Sequence, residues 1–109
     1  MQTAKASKPT DQAAPAPRPL AGRHALITGG SRGIGAAIAT ELADLGANIT
    51  LAARDEAALA KQRERLARRG DIAVACQRMD LRDPESIAQG VMAARDGQGP
   101  IAILINNAG

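Results

Sequence analysis

The sequence contains no phenylalanine, tyrosine or tryptophan among its 109 residues. Without flat rings it offers no platform on which unpaired bases could stack, so the usual means of holding single-stranded nucleic acid is missing. Cysteine is almost as scarce. Cys76 is the only one, which excludes an intrachain disulfide and a cysteine-based zinc framework. It lies in the apolar run IAVACQ, where a packed, inert thiol is expected rather than a nucleophile. His24 is also alone, outside any metal-ligand spacing, and is expected to be structural or solvated. No apolar run is long enough to cross a bilayer, and nothing near the start has the pattern of a secretion signal. The expectation is a soluble, cytoplasmic chain with no membrane partner and no metal.

The formal net charge is +3, but its placement argues against a nucleic-acid partner. Lys5, Lys8 and Arg18 lie in the leading segment, and KQRERLARR (Lys61 to Arg69) closes a helical pattern, where cations complement the helix dipole. A nucleic-acid role carried by those two segments is therefore the weakest functional reading. Residues 1–20, MQTAKASKPTDQAAPAPRPL, are rich in Ala, Pro, Lys, Gln and Thr, with Leu20 the main apolar side chain. Such a stretch buries too little surface to offset its ordering entropy. A disordered tail over 1–20 and one folded unit over 21–109 are expected.

Within that unit the apolar runs HALIT, NITLAA, IAVAC and IAILIN alternate with helical patterns, a β-α-β rhythm that signals a parallel sheet with helices on its faces. The runs are nearly continuous in apolar character, as strands buried on both sides should be. The first helix is expected from about Gly33 to Leu45, with Ile34, Ile38, Leu42 and Leu45 facing inward and Gly46 as its stop. The second begins after Asp55 as N-cap and stops at Gly70; Leu59 and Leu66 give it a thin apolar stripe, so peripheral packing is expected. The third opens on Asp83-Pro84, a cap followed by a proline suited to the first helical position, with Ile87, Val91 and Ala94 inward. Right-handed crossovers give strand order 3-2-1-4, with the first two helices on one face and the third on the other. This is an α/β fold, a doubly wound parallel sheet, incomplete at the fourth strand. Ligands in such sheets bind beyond the carboxyl ends of the strands, where the chain reverses direction. The glycine loop after strand one and the Asn106-Asn107-Ala108-Gly109 end of strand four both face that crevice.

The loop reads TGGSRGIG. Gly30 and Gly35 have the spacing of a nucleoside-triphosphate loop, but Ala36 and Ala37 stand where a lysine and a hydroxyl would hold phosphate and magnesium. In a G-x-G-x-x-G frame, Gly33 and Gly35 are followed by Ile38, so the third glycine is absent. A third spacing remains: Thr28-Gly29, three residues, then Gly33-Ile34-Gly35. It resembles the T-G-x-x-x-G-x-G loop of the short-chain dehydrogenase/reductase family. The resemblance continues in MDLRD, where Asp80-Leu81 is similar to the family's Asp-hydrophobic pair, and in INNAG, which matches its N-N-A-G motif. It extends from Arg23 to Gly109 and implies a Rossmann-like sheet. Gly29, Gly30, Ser31, Arg32, Gly33, Ile34 and Gly35 would then hold a cofactor pyrophosphate, with small residues admitting the backbone and the helix N-terminus presenting free amides. The same resemblance sets Asp80 against the adenine amino group with Leu81 beside it, and Asn107 near the ribose. Ala108 and Gly109 complete that motif.

Which cofactor depends on the end of strand two, where NAD enzymes of this fold place an acid and NADP enzymes a cation. In NITLAARDE the acidic position is Ala53, followed by Arg54. NADP(H) is expected, with the Arg54 guanidinium forking onto the extra phosphate and Arg32 adding a second cation. The alternative, NAD(H), would give Asp55 the ribose, although Asp55 is better explained as a helix cap. The family's catalytic serine and its Y-x-x-x-K pair follow N-N-A-G. This sequence holds no tyrosine, and Ser31 and Ser86 stand elsewhere, so no catalytic residue is assigned. The resemblance implies the N-terminal, cofactor-binding half of an NADP(H)-dependent enzyme interconverting ketones and alcohols, closest in appearance to 3-oxoacyl-carrier-protein reductases. Its substrate would be a small-molecule or acyl-thioester carbonyl, its full-length form a homo-oligomer (dimer or tetramer), and this portion inactive alone. The alternative is a truncated, non-catalytic dinucleotide-binding module.

Overall fold

Strand and helix alternate throughout residues 18–107, the part of the chain that the computed structural model describes. The elements are β1 (His24–Thr28), α1 (Gly33–Asp44), β2 (Asn48–Ala53), α2 (Glu56–Ala67), β3 (Val74–Arg78), α3 (Pro84–Gln98) and β4 (Ile101–Asn106). The strands form one parallel sheet in the order β3-β2-β1-β4, as the crossover rule requires. Register pairs Thr28 with Ala52 and Asn106, and Ala53 with Arg78. The carboxyl ends of all four strands are thereby aligned on one edge. Residues 1–17 of the expected tail, and Ala108 and Gly109, lie outside the described residues. Of the segment's last three residues, Leu20 packs partly against the core and its amide donates to the Leu45 carbonyl at 3.0 Å.

Alternation along the strands divides the core between the two faces of the sheet. Ala25, Ile27, Ile49 and Leu51 pack with Ala39, Ala43, Leu59 and Leu66 of α1 and α2. Leu26 and Ala52 pack on the other face with Ala94 of α3 and with Met79, just after β3. The helix placement is the expected one, and α3 also presents Ile87 and Val91 to the core as its periodicity predicts.

Two helices differ in detail from the sequence reading. In α1 the buried residues are Gly35, Ala39 and Ala43, whereas Ile34 is 71% and Leu45 40% exposed. Leu42 packs only partly, and the helix ends at Asp44. Small residues at four-residue spacing let the helix axis approach the sheet; Ile34 in that seat would hold it away. The helical period was legible, but size selects the buried face. In α2, Leu59 and Leu66 are fully buried, and so is Gln62, so the helix is integral to the core and not peripheral. Gln62 is satisfied there: its Nε2 donates to the Ala36 carbonyl at 3.2 Å, tying α2 to α1, and its Oε1 accepts from Arg65 Nη1 at 3.0 Å.

His24 is structural. It is buried, with Nδ1 2.9 Å from the Gly99 carbonyl oxygen and Nε2 2.7 Å from Thr50 Oγ1. A carbonyl only accepts, so Nδ1 carries the hydrogen and Nε2 accepts from the threonine hydroxyl. Cys76 Sγ lies 3.4 Å from the Leu59 carbonyl oxygen, and burial pushes the thiol up, away from the reactive thiolate. Among the described residues, no helix is long and apolar enough to cross a membrane.

Candidate functional site

An open crevice of about 1150 Å³ runs along the carboxyl edge of the sheet. Three loops and one strand end build it: the loop after β1, the β2–α2 turn, the segment after β3, and Asn107 after β4. The glycine loop begins with a fixed anchor. Gly29 has φ +69°, and a Cβ there would collide with the Asn107 carbonyl oxygen, so only glycine lets the ends of β1 and β4 meet this closely. The asparagines brace that junction: Asn107 N donates to the Thr28 carbonyl at 3.2 Å, and Thr28 Oγ1 donates to Asn106 Oδ1 at 3.0 Å.

Of the loop residues singled out in the sequence, Gly29, Ser31, Arg32, Gly33 and Ile34 line the crevice. Gly30 and Gly35 lie beneath the loop and shape it. A Cβ on Gly30 would stand 2.9 Å from Leu51 Cδ2, and one on Gly35 would overlap the Gly29 carbonyl oxygen. Arg54, Asp80, Leu81 and Asn107 also line the crevice.

The N-terminus of α1 opens at this edge, and it differs from the other two. Asp55 caps α2 by accepting from Ala58 N, and Asp83 caps α3 by accepting from Glu85 N; each helix also carries a glutamate in its first turn. In contrast, α1 has Arg32 at its N-cap with no side-chain cap and no acid in its first turn. Among the described residues its leading amides therefore have no side-chain cap, and the helix dipole adds positive potential. The combination suits an anion.

Four arginines surround the crevice: Arg32, Arg54, Arg78 and Arg82. Two are paired. Arg32 Nη2 lies 2.6 Å from Asp55 Oδ2. Asp55 Oδ1 accepts from Ala58 N at 3.1 Å; that bond, then the Arg32 charge, holds the carboxyl below its ordinary value. Arg82 forks onto Asp80, with Nε 3.1 Å from Oδ1 and Nη2 3.2 Å from Oδ2. The fork, together with the Arg82 backbone amide, pushes Asp80 down to about 2. Sequence reasoning missed Arg78 and Arg82, whose only signal was their position two residues either side of Asp80 in RMDLRD.

The Asp80 shift has a testable consequence. A carboxylate depressed on folding contributes stability above its unfolded pKa, and loses it as pH falls through the folded value. The fork should therefore be intact at pH 5 and release as pH falls through about 2. In a carboxyl ¹³C titration, Arg82→Ala should return the Asp80 midpoint toward the ordinary range near 3.9. An unmoved midpoint would mean another group holds the carboxylate.

With this geometry established, comparison with known proteins identifies the family. The sequence matches the short chain dehydrogenase family over residues 23–109, and the chain belongs to it. It is 42% identical over 99 residues to a glycine betaine reductase of Emericella nidulans, covering 90% of this chain and 8% of that protein. It is also 42% identical over 92 residues to the rhamnolipids biosynthesis 3-oxoacyl-[acyl-carrier-protein] reductase of Pseudomonas aeruginosa, covering 83% of this chain and 34% of that one. The crystal structure of L-sorbose reductase from Gluconobacter frateurii, complexed with NADPH and L-sorbose, superposes with TM-score 0.80 at 37% identity, over 84% of this chain and 35% of that chain. The chain thus spans about a third or less of the length of these relatives.

Proposed function

We propose that the crevice seats the adenosine and pyrophosphate half of NADP(H), and that the chain is the cofactor-binding half of an oxidoreductase interconverting ketones and alcohols. One observation carries the choice of cofactor. The end of β2 presents Ala53 and Arg54, and the nearby Asp55 carboxylate is committed, one oxygen to Ala58 N and the other to Arg32. The turn thus presents a guanidinium where an NAD site presents an acid, and the Asp55 charge is offset by Arg32.

The residues present fit the group. The uncapped amides of α1 would face the pyrophosphate, Gly29 and Gly33 would admit it closely, and Arg54 would meet the 2′-phosphate. Asp80 would take the adenine edge and Asn107 the ribose, with Ala108 and Gly109 continuing that end of the site. When bound, the nicotinamide supplies or accepts hydride at a carbonyl carbon. The family resemblance gives the proton donor's role to a tyrosine, and this sequence holds none. The ketone substrate class draws support from the names of the P. aeruginosa and G. frateurii relatives. An acyl-thioester carbonyl, a cytoplasmic setting and a homo-oligomeric full-length form belong to the same proposal. The missing tyrosine favours a second reading for the chain by itself, a module that binds the dinucleotide without turnover.

The test is a fluorescence titration of the 109-residue chain with NADPH and with NADH. The absence of aromatic residues leaves nicotinamide emission free of protein background. NADPH should bind at least about ten-fold more tightly than NADH, a difference of about 1.4 kcal/mol. Equal affinity would overturn the NADP(H) assignment.

A further inference from the structure

Arg78 lies outside the three motifs that carry the family resemblance, yet it lines the crevice. We propose that Arg78 closes with Arg54 on the 2′-phosphate of the cofactor, making it a second specificity-determining residue of this site. The inference rests on the NADP(H) reading above.

Three observations converge on it. The first is register. Arg78 is paired with Ala53 across β2 and β3, and Met79 N donates to the Ala53 carbonyl at 2.9 Å. The two strand ends are locked side by side, so Arg78 stands next to the Ala53-Arg54 turn. The second is the face of the sheet. Val74 and Cys76 pack into the cluster shared with α1 and α2, while Met79 packs with α3. Alternation places Arg78 on the α1 and α2 side, the side that carries Arg32 and Asp55.

The third observation is charge. Four guanidinium groups and two carboxylates line the crevice, Asp55 pairs with Arg32 and Asp80 with Arg82. Four minus two leaves a charge of +2. Arg54 and Arg78 have no ion-pair partner among the described residues. Two guanidinium groups without an ion pair stand at neighbouring strand ends, and a group bearing about −1.5 to −2 at neutral pH, as a phosphomonoester does, would offset both. The competing partner for Arg78 is Glu56, which shares with it a smaller cleft of about 220 Å³ that also touches Arg63 and Cys76. No Arg78–Glu56 ion pair is formed among the described residues.

Calorimetric titration of the chain with adenosine 2′,5′-bisphosphate and with adenosine 5′-monophosphate tests the assignment. Arg78→Gln should weaken the bisphosphate about ten-fold, the loss of one charge-assisted contact, and leave the monophosphate unchanged. Arg78→Lys should recover part of the loss. Arg78 is exposed, so the fold should survive, and a thermal melt checks this. If Arg78→Gln keeps full bisphosphate affinity while Arg54→Gln loses it, the NADP(H) reading stands and Arg78 is a solvated edge residue. Equal weakening of both nucleotides would also overturn a 2′-phosphate role. If the unsubstituted chain does not prefer the bisphosphate at all, the NADP(H) reading fails and this inference fails with it.

Discussion

Gly35→Ala should lower the melting temperature sharply and abolish NADPH binding. The added methyl would overlap the Gly29 carbonyl oxygen and stand 2.8 Å from Asn107 Nδ2. Neither neighbour can retreat easily. Gly29 N is held by the Ala52 carbonyl at 2.7 Å, and Asn107 N by Thr28. On the other side, Gly35 belongs to the buried face of α1 with Ala39 and Ala43. Either α1 lifts from the sheet or the glycine loop deforms, and both outcomes spoil the phosphate seat. Overpacking of this kind costs about 1–3 kcal/mol, and each kcal/mol corresponds to roughly 4–8 °C of Tm in a domain of 60–100 residues. Gly97→Ala is the matched control. That position lies in α3 with nothing within 4 Å of a new Cβ, so helix propensity alone should stabilise it by about 0.5–1 kcal/mol. Melts followed by circular dichroism, with NADPH titrations on both variants, compare them. A Gly35→Ala chain that melts and binds like the parent would remove close packing from the loop's design.

Arg54→Asp should invert the cofactor preference. The substitution removes a cation from the 2′-phosphate and places a carboxylate beside Ala53, where ribose hydroxyls could be accepted. A charge-assisted contact contributes about 1.5–3 kcal/mol, so the NADPH-to-NADH affinity ratio should fall roughly ten- to a hundred-fold. Asp55 is the same in parent and variant, with one oxygen on Ala58 N and the other on Arg32. The ratio is read from paired titrations of the parent and the variant. An unchanged ratio would assign selection to Asp55 or another group.

What was legible in the sequence was what local chemistry encodes. Asp55, Asp83 and Pro84 mark helix starts through bonds made within one turn, and the apolar runs mark strands whose order follows from handedness. The buried face of α1 was not legible, because hydropathy ranks Ile34 and Leu45 above glycine and alanine. The sheet selects for size at that seat, and the selection exists only once the helix is docked. The burial of Gln62 depends on a carbonyl in another helix, which no local pattern reveals. At the crevice the Asp80–Arg82 fork spans two residues and is in principle readable. The Arg32–Asp55 pair and the Ala53–Arg78 register join distant parts of the chain. Before folding, Arg78 is one of 14 basic residues; afterwards it is one of two in the crevice without an ion-pair partner among the described residues.

The most direct measurement is an amide chemical-shift titration of the ¹⁵N-labelled chain with NADP⁺. Saturating shifts are expected at Gly29 to Gly35, Ala53 to Asp55, Arg78 to Arg82 and Asn107, all on the carboxyl edge of the sheet. The opposite edge, where His24, Thr50 and Gly99 share hydrogen bonds, should remain still. Shifts clustered at that opposite edge, or no saturable shift at all from a chain whose spectrum shows the folded sheet, would contradict a cofactor seat in this crevice.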